Sequence, residues 1–146
     1  MTPLNIRFDG QPNVQGSNIV RMPKLNQGAP YSFGLRIRLE DQTYRDWDAV
    51  VEMRWRIKLR PADKHELFTL LKSEGNFLVD SATDTLTFVM KASDWVDVTL
   101  PQSANHLEMD VPFSFVVEFL DAVGEAGVVT ERFAQGSGFI SVNLFL

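Results

Sequence analysis

Residues 50–60, VVEMRWRIKLR, decide the predicted fold because their apolar and polar side chains alternate. Successive side chains of a β-strand point to opposite faces, so this stretch predicts a strand with one apolar and one polar face. Trp55 stands in the middle of the apolar face, where we expect a core position. The polar face carries Glu52 and four basic residues, namely Arg54, Arg56, Lys58 and Arg60.

The same alternation recurs along the chain, with polar stretches between the segments. It is found at residues 31–39, 85–90 and 111–120, and residues 138–146 predict the closing strand. Short segments with this pattern, separated by polar turns, are typical of a β-sandwich. We therefore predict an all-β fold.

Two segments depart from this alternation. In residues 63–71 three leucines have helical spacing, which slightly favours a helix, and a strand over residues 67–71 is the alternative. Residues 92–97 predict one short helical turn that is capped by Ser93 and that places Trp95 at one end of the core.

Composition limits the classes of protein to which the chain can belong. Its 146 residues are the size of one domain. The net charge of -5 argues against a nucleic-acid partner. The chain has no cysteine, which excludes disulfides and thiolate sites. We find no signal-peptide pattern and no apolar run near the roughly 18 residues of a membrane span, so we expect no membrane partner.

The N-terminal region differs in composition from the rest of the chain. Residues 1–27 are rich in Asn, Gln, Gly and Pro and predict an extended arm, whereas residues 28–146 predict the β-sandwich domain. Leu4, Ile6 and Phe8 alternate with polar residues, which indicates an edge strand added to the domain or to a neighbouring subunit. A partly ordered tail is the alternative.

No arrangement of residues predicts catalysis, a metal site or a cofactor. Neither His65 nor His106 has a second histidine or a set of carboxylates at ligand spacing. The sequence Gly136-Ser137-Gly138 lacks the spacing of a nucleophile elbow and predicts a turn or a bulge before the last strand. We expect a protein that is not an enzyme.

Two aromatic residues in a polar loop are candidates for binding. Tyr44 and Trp47 precede the strand at residues 50–60. Aromatic side chains in such a loop stack on sugars, anchor a partner protein, or pack over the end of the sandwich. Packing is the explanation that we favour.

The basic row of residues 50–60 has two explanations. Asp110 and Glu118 lie on the outward phase of their own strand and could pair with these bases, at about 0–1 kcal/mol for each exposed pair. Alternatively, the strand at residues 31–39 is a neighbour, and the outward bases form one patch that docks on an acidic subunit. That patch would consist of Arg36, Arg38, Arg54, Arg56, Lys58 and Arg60. We favour the pairing.

Several segments follow one another in the order found in a known family. They are the strand entry GAPYSFGLRIRL at residues 28–39, the loop DWD at residues 46–48 before the long strand, the strand, turn and strand at residues 67–80, the strand and helical turn at residues 85–95, and the closing strands at residues 113–124 and 130–144. Over residues 27–144 this order resembles that of small structural proteins of tailed bacteriophages. Residues 1–26 have no counterpart in the family, and residues 101–110 are longer and more polar than its usual link.

The resemblance implies an immunoglobulin-like antiparallel β-sandwich in which residues 67–71 form a strand. It implies a non-enzymatic virion protein, assembled in the bacterial host cytoplasm, that serves as a tail or baseplate adaptor, a head-fibre base or a capsid decoration protein. Its partners would be capsid or tail subunits. This chain would bind them as symmetric copies in the assembly or as a homo-oligomer. The alternative function is a carbohydrate- or receptor-binding module that uses Tyr44 and Trp47.

Overall fold

A computed structural model describes residues 4–6, 13–14, 19–39, 41–48, 50–101, 108–120 and 129–143. The strands of this part are β1 (Leu4–Ile6), β2 (Asn13–Val14), β3 (Ile19–Arg21), β4 (Leu25–Asn26), β5 (Tyr31–Arg38), β6 (Glu52–Lys58), β7 (Phe68–Leu71), β8 (Phe77–Asp80), β9 (Thr85–Met90), β10 (Glu108–Leu120) and β11 (Val129–Asn143). Two short 3-10 turns, Lys72–Glu74 and Ala92–Trp95, follow β7 and β9.

The strands form two sheets. The smaller sheet has the order β1-β5-β9-β8, and the larger has the order β2-β3-β11-β10-β6-β7, with β4 also paired to β11. Apolar side chains from both sheets meet in one core, which confirms the predicted all-β sandwich. The strands of the sandwich domain pair antiparallel, as predicted, and two strands of the N-terminal segment, β3 and β4, run parallel to β11.

The strand order is that of the immunoglobulin fold. In that fold strands A, B, E and D form one sheet, and strands C, F and G form the other. Here β1, β5, β9 and β8 take the first set of positions, and β6, β10 and β11 take the second. The short β7 extends the larger sheet beyond β6, as the additional strand of the variable type does.

Trp55 lies at the centre of this core. It is fully buried on β6 and meets Phe33, Phe88 and Phe115 edge to face, with ring centroids 6.2, 5.5 and 6.4 Å away. Immunoglobulin domains place a tryptophan on the same strand against a disulfide between strands B and F. In this cysteine-free chain, Phe33 of β5 and Phe115 of β10 surround the tryptophan instead.

The slight preference for a helix in residues 63–71 is wrong, and the strand implied by the family resemblance is right. Phe68 and Leu70 are buried, whereas Thr69 between them is exposed, and Leu70 pairs with Trp55 across the strands. Pairing with β6 therefore overrides the helical spacing of the leucines.

The predicted helical turn is present at Ala92–Trp95, but Ser93 does not cap it. The N-cap is Lys91, two residues before Ser93, and its backbone N–H donates to the Asp94 carboxylate at 2.7 Å.

The N-terminal segment adds strands to both sheets of the domain. Leu4–Ile6 pairs with β5 in the smaller sheet. Ile19–Arg21 and Leu25–Asn26 pair in parallel with β11 in the larger sheet. Met22 and Leu25 are buried in the core. Phe8 lies outside the described residues.

The predicted turn or bulge at residues 136–138 is wrong, because these residues lie inside β11. A Cβ on Gly136 would overlap the backbone carbonyl of Val20, and one on Gly138 would lie 2.7 Å from Cζ of Phe113. The two glycines therefore allow the N-terminal strand and a core ring to approach β11 closely.

Candidate interaction surface

Glu118 is a buried carboxylate on the outer side of the larger sheet. Its strand, β10, directs Phe113, Phe115 and Val117 into the core, whereas Glu118 faces away from the core and lies opposite Arg54 of β6. The residue is nevertheless only 2% exposed. A charged group is buried in this way only when it is paired, so its neighbours explain its position.

Three arginines cover this carboxylate. Oε1 of Glu118 accepts hydrogen bonds from Nε and Nη2 of Arg54 at 3.2 and 3.0 Å. Nε of Arg56 lies 2.8 Å from the same oxygen, as an ion pair without hydrogen-bond alignment. Nη2 of Arg132 approaches Oε2 to 3.9 Å from β11. A register shift in β11 next to Glu118 places Arg132 opposite it, so both neighbouring strands contribute positive charge.

The predicted pairing of the basic row is therefore confirmed for Glu118. Asp110 instead pairs with Lys24, at 2.8 Å. Arg56 also donates to Glu66 at 3.2 Å, and Lys58 donates to the backbone carbonyl of Asp63 at 2.8 Å.

These pairs do not cancel the positive charge of this side of the sheet. Six bases lie here, namely Arg21, Lys24, Arg54, Arg56, Lys58 and Arg132, and four acids, namely Glu52, Glu66, Asp110 and Glu118. The formal excess of two positive charges contrasts with the chain as a whole, whose net charge is -5.

Exposed apolar residues continue the same surface. Ile19 of β3 pairs with Gln135 of β11, which in turn pairs with Val116 of β10. Phe139 lies opposite Pro112, farther along the same two strands. Ile19 and Phe139 are each 45% exposed. We call this outer side of β3, β11, β10 and β6 the basic sheet face; it is defined by Arg54, Arg56, Lys58, Arg132, Ile19 and Phe139.

The prediction of one patch that includes Arg36 and Arg38 is wrong. These arginines lie on β5 in the smaller sheet, whereas β6 belongs to the larger one. Both face Tyr44, whose ring centroid is 4.3 Å from Cζ of Arg36 and 5.5 Å from Cζ of Arg38. Nη2 of Arg38 donates to the Tyr44 hydroxyl at 3.2 Å. This hydrogen bond and the charges of the two arginines lower the pKa of Tyr44 below its usual range.

Trp47 does not offer a stacking surface. It is fully buried and meets Phe119 and Phe133 edge to face, and its Nε1 donates to the backbone carbonyl of Asp84 at 3.0 Å. Packing over the end of the sandwich, the explanation that we favoured, is what the structure shows. Tyr44 is half-buried against the arginines, so these two aromatic residues do not form a platform for sugars.

Sequence reasoning missed three members of the basic sheet face. Arg132 reaches Glu118 only because of the register shift in β11, and no residue pattern indicates that shift. Ile19 and Phe139 alternate correctly with their neighbours, but alternation does not show which strands are adjacent. The signal in the sequence for a basic residue such as Arg132 was Glu118, a single acidic residue in an otherwise apolar strand, because such a residue indicates a basic neighbour.

Within the described ranges, no group of three His, Asp or Glu side chains is placed to hold a metal ion. His65 is exposed, and His106 lies outside these ranges. No helical segment in the described part of the chain has the length and apolar character needed to cross a membrane.

Comparison with known proteins gives no family assignment. No family model matches the chain, and no curated protein is significantly similar to it.

Proposed function

We propose that this protein is a non-enzymatic structural component of a tailed-phage virion and that it attaches to a capsid or tail subunit through the basic sheet face. The observation that carries the proposal is the combination, on one open side of the larger sheet, of excess positive charge with the exposed Ile19 and Phe139. Arginine and aromatic residues are enriched in protein interfaces, and charged residues other than arginine are depleted at their centres.

The geometry favours a partner surface that is acidic and partly apolar. Arg54 and Arg56 are held in place by Glu118, so little side-chain freedom is lost when a partner binds. Their charge would orient an acidic subunit, and Phe139 would supply apolar contact area. The virion setting comes from the resemblance to structural proteins of tailed phages, in which symmetric copies bind repeated sites.

The test is attachment to purified particles. We expect the double variant Ile19→Ser and Phe139→Ser, and separately Arg132→Ser, to lower the occupancy of the protein on particles. Arg54 and Arg56 are unsuitable targets because their removal would leave the buried Glu118 with only the more distant Arg132, at 3.9 Å. Leu78→Ser is a matched control, since Leu78 is 55% exposed on β8 in the other sheet. Equal occupancy for all variants would refute attachment through this face.

A further inference from the structure

A second cationic cluster, formed by Arg36 and Arg38, lies on the outer side of the smaller sheet. Arg36 and Arg38 are two residues apart on β5, so both point away from the core, and Tyr44 packs against them. Since the two sheets form the opposite sides of the sandwich, this cluster and the basic sheet face are directed away from each other. One molecule therefore has a cationic surface on each side.

The two clusters differ in whether a carboxylate of the described residues offsets their positive charge. The arginines at Glu118 share a buried carboxylate, whereas neither Arg36 nor Arg38 forms an ion pair with any described residue. Their Nε atoms are buried and have no hydrogen-bond partner in the described part of the chain. Arg38 donates to a neutral phenol, which is a weaker acceptor than a carboxylate. No carboxylate among the described residues therefore offsets the charge of either guanidinium group.

We infer that Arg36, Arg38 and Tyr44 form a docking site for an extended acidic segment of a second partner protein. Alternate residues of a strand are about 6.5–7 Å apart, and the acidic side chains of an extended Glu-x-Glu sequence have the same spacing. Since the Nε atoms are buried, each carboxylate would accept its hydrogen bonds from the Nη groups of one guanidinium group. Together with the basic sheet face, such a site would let the protein bridge two neighbours.

Binding can be measured with a short peptide of alternating Glu and Thr, and with its Gln counterpart as the control ligand. We expect calorimetry at low ionic strength to detect binding of the Glu peptide alone. Loss of a charged hydrogen bond costs about 1.5–3 kcal/mol, so Arg36→Gln and Arg38→Gln should each weaken binding about tenfold or more. The pair Arg36→Lys and Arg38→Lys keeps the charge without the planar donor pair and should bind more weakly than the natural protein.

A second measurement locates the peptide. Carboxylates bound at the arginines would offset their charge, so the peptide should raise the pKa of Tyr44 measured from tyrosinate absorbance. Arg132→Ser and Phe139→Ser, on the opposite side, should leave peptide binding unchanged. This separates the present site from the attachment face proposed above, because each can fail while the other holds.

Three results would overturn the inference. They are no binding of the Glu peptide to the natural protein, equal binding by the Arg36→Gln and Arg38→Gln variants when these melt like the natural protein, and loss of binding in Phe139→Ser. Binding of inorganic phosphate without binding of the peptide would also count against it, since the arginines would then form a site for small anions.

Discussion

Arg56 reaches Glu118 diagonally across two strands. The register places Arg56 opposite Val116 and Glu118 opposite Arg54, yet Nε of Arg56 lies 2.8 Å from Oε1 of Glu118. The guanidinium groups of both arginines therefore meet at one carboxylate oxygen. This arrangement keeps two neighbouring cations close together on a sheet surface, where they would otherwise repel each other.

Glu118→Gln should lower the free energy of unfolding by about 1–3 kcal/mol, because it removes the buried charge that offsets three arginines. The pairs are only partly exposed, so added salt should recover little of the loss. Denaturant unfolding measures the change. Glu74→Gln is the control, since Glu74 is exposed and forms no ion pair with a described residue. Equal stability of the two variants would contradict a structural role for Glu118.

Gly136→Ala should detach the N-terminal strand from β11, because its Cβ would overlap the carbonyl of Val20. Overpacking of this kind costs about 1–3 kcal/mol. Hydrogen exchange gives the direct readout: the N–H of Met22, which donates to the carbonyl of Ser137 at 2.9 Å, should lose protection. Ser137→Ala, at the exposed position next to it, should keep that protection. Unchanged exchange in Gly136→Ala would mean that the strand lies elsewhere in solution.

Alternation of side chains was enough to predict the sandwich and its central tryptophan. Residues 50–60 and 111–120 each have one apolar phase, and burial follows that phase at Met53, Trp55 and Ile57. When one face of a strand is buried, a shift of its pairing by one residue would turn the apolar side chains toward solvent. Such a pattern therefore strongly specifies the strand register. The residues at 67–71 carried a weaker pattern, and pairing with β6 decided their conformation.

The division of charges between the two sheets could not be predicted in the same way. Alternation shows that Arg36 and Arg54 face outward, but it does not show on which sheet each strand lies. That assignment depends on contacts far apart in the chain, such as the pairing of β5 with β9. Burial of Trp47 depends likewise on Phe119 and Phe133, which are distant in sequence.

Phenylalanine substitutions at two tryptophans should separate packing from hydrogen bonding. Trp47 and Trp55 are both fully buried, but only Nε1 of Trp47 has a described partner, the carbonyl of Asp84. Trp47→Phe leaves that carbonyl unpaired, so it should cost about 1 kcal/mol more than Trp55→Phe in denaturant unfolding. A larger loss for Trp55→Phe would indicate that its indole N–H has a partner, such as a buried water.

The two tyrosines of the chain should ionise in two separate steps. The hydrogen bond from Arg38 and the nearby charges of Arg36 and Arg38 lower the pKa of Tyr44, whereas burial raises that of Tyr31 from 10.0 to about 12. Absorbance of tyrosinate during an alkaline titration should therefore show one step below the usual value and one well above it. Tyr44→Phe should remove the early step, and Tyr31→Phe the late one.

The same shifts give the dependence of stability on pH. The pKa of Tyr31 is higher in the folded than in the unfolded chain, so its contribution is complete below pH 10.0 and is lost as the pH rises toward about 12. Tyr44 has the opposite sign: its ionised form adds stability at high pH, and that gain disappears as the pH falls through its lowered pKa. Tyr31→Phe should accordingly unfold less readily in alkali than Tyr44→Phe. A single absorbance step near pH 10.0 for both tyrosines, in protein that is still folded, would contradict the burial of Tyr31 and the contact of Tyr44 with the two arginines.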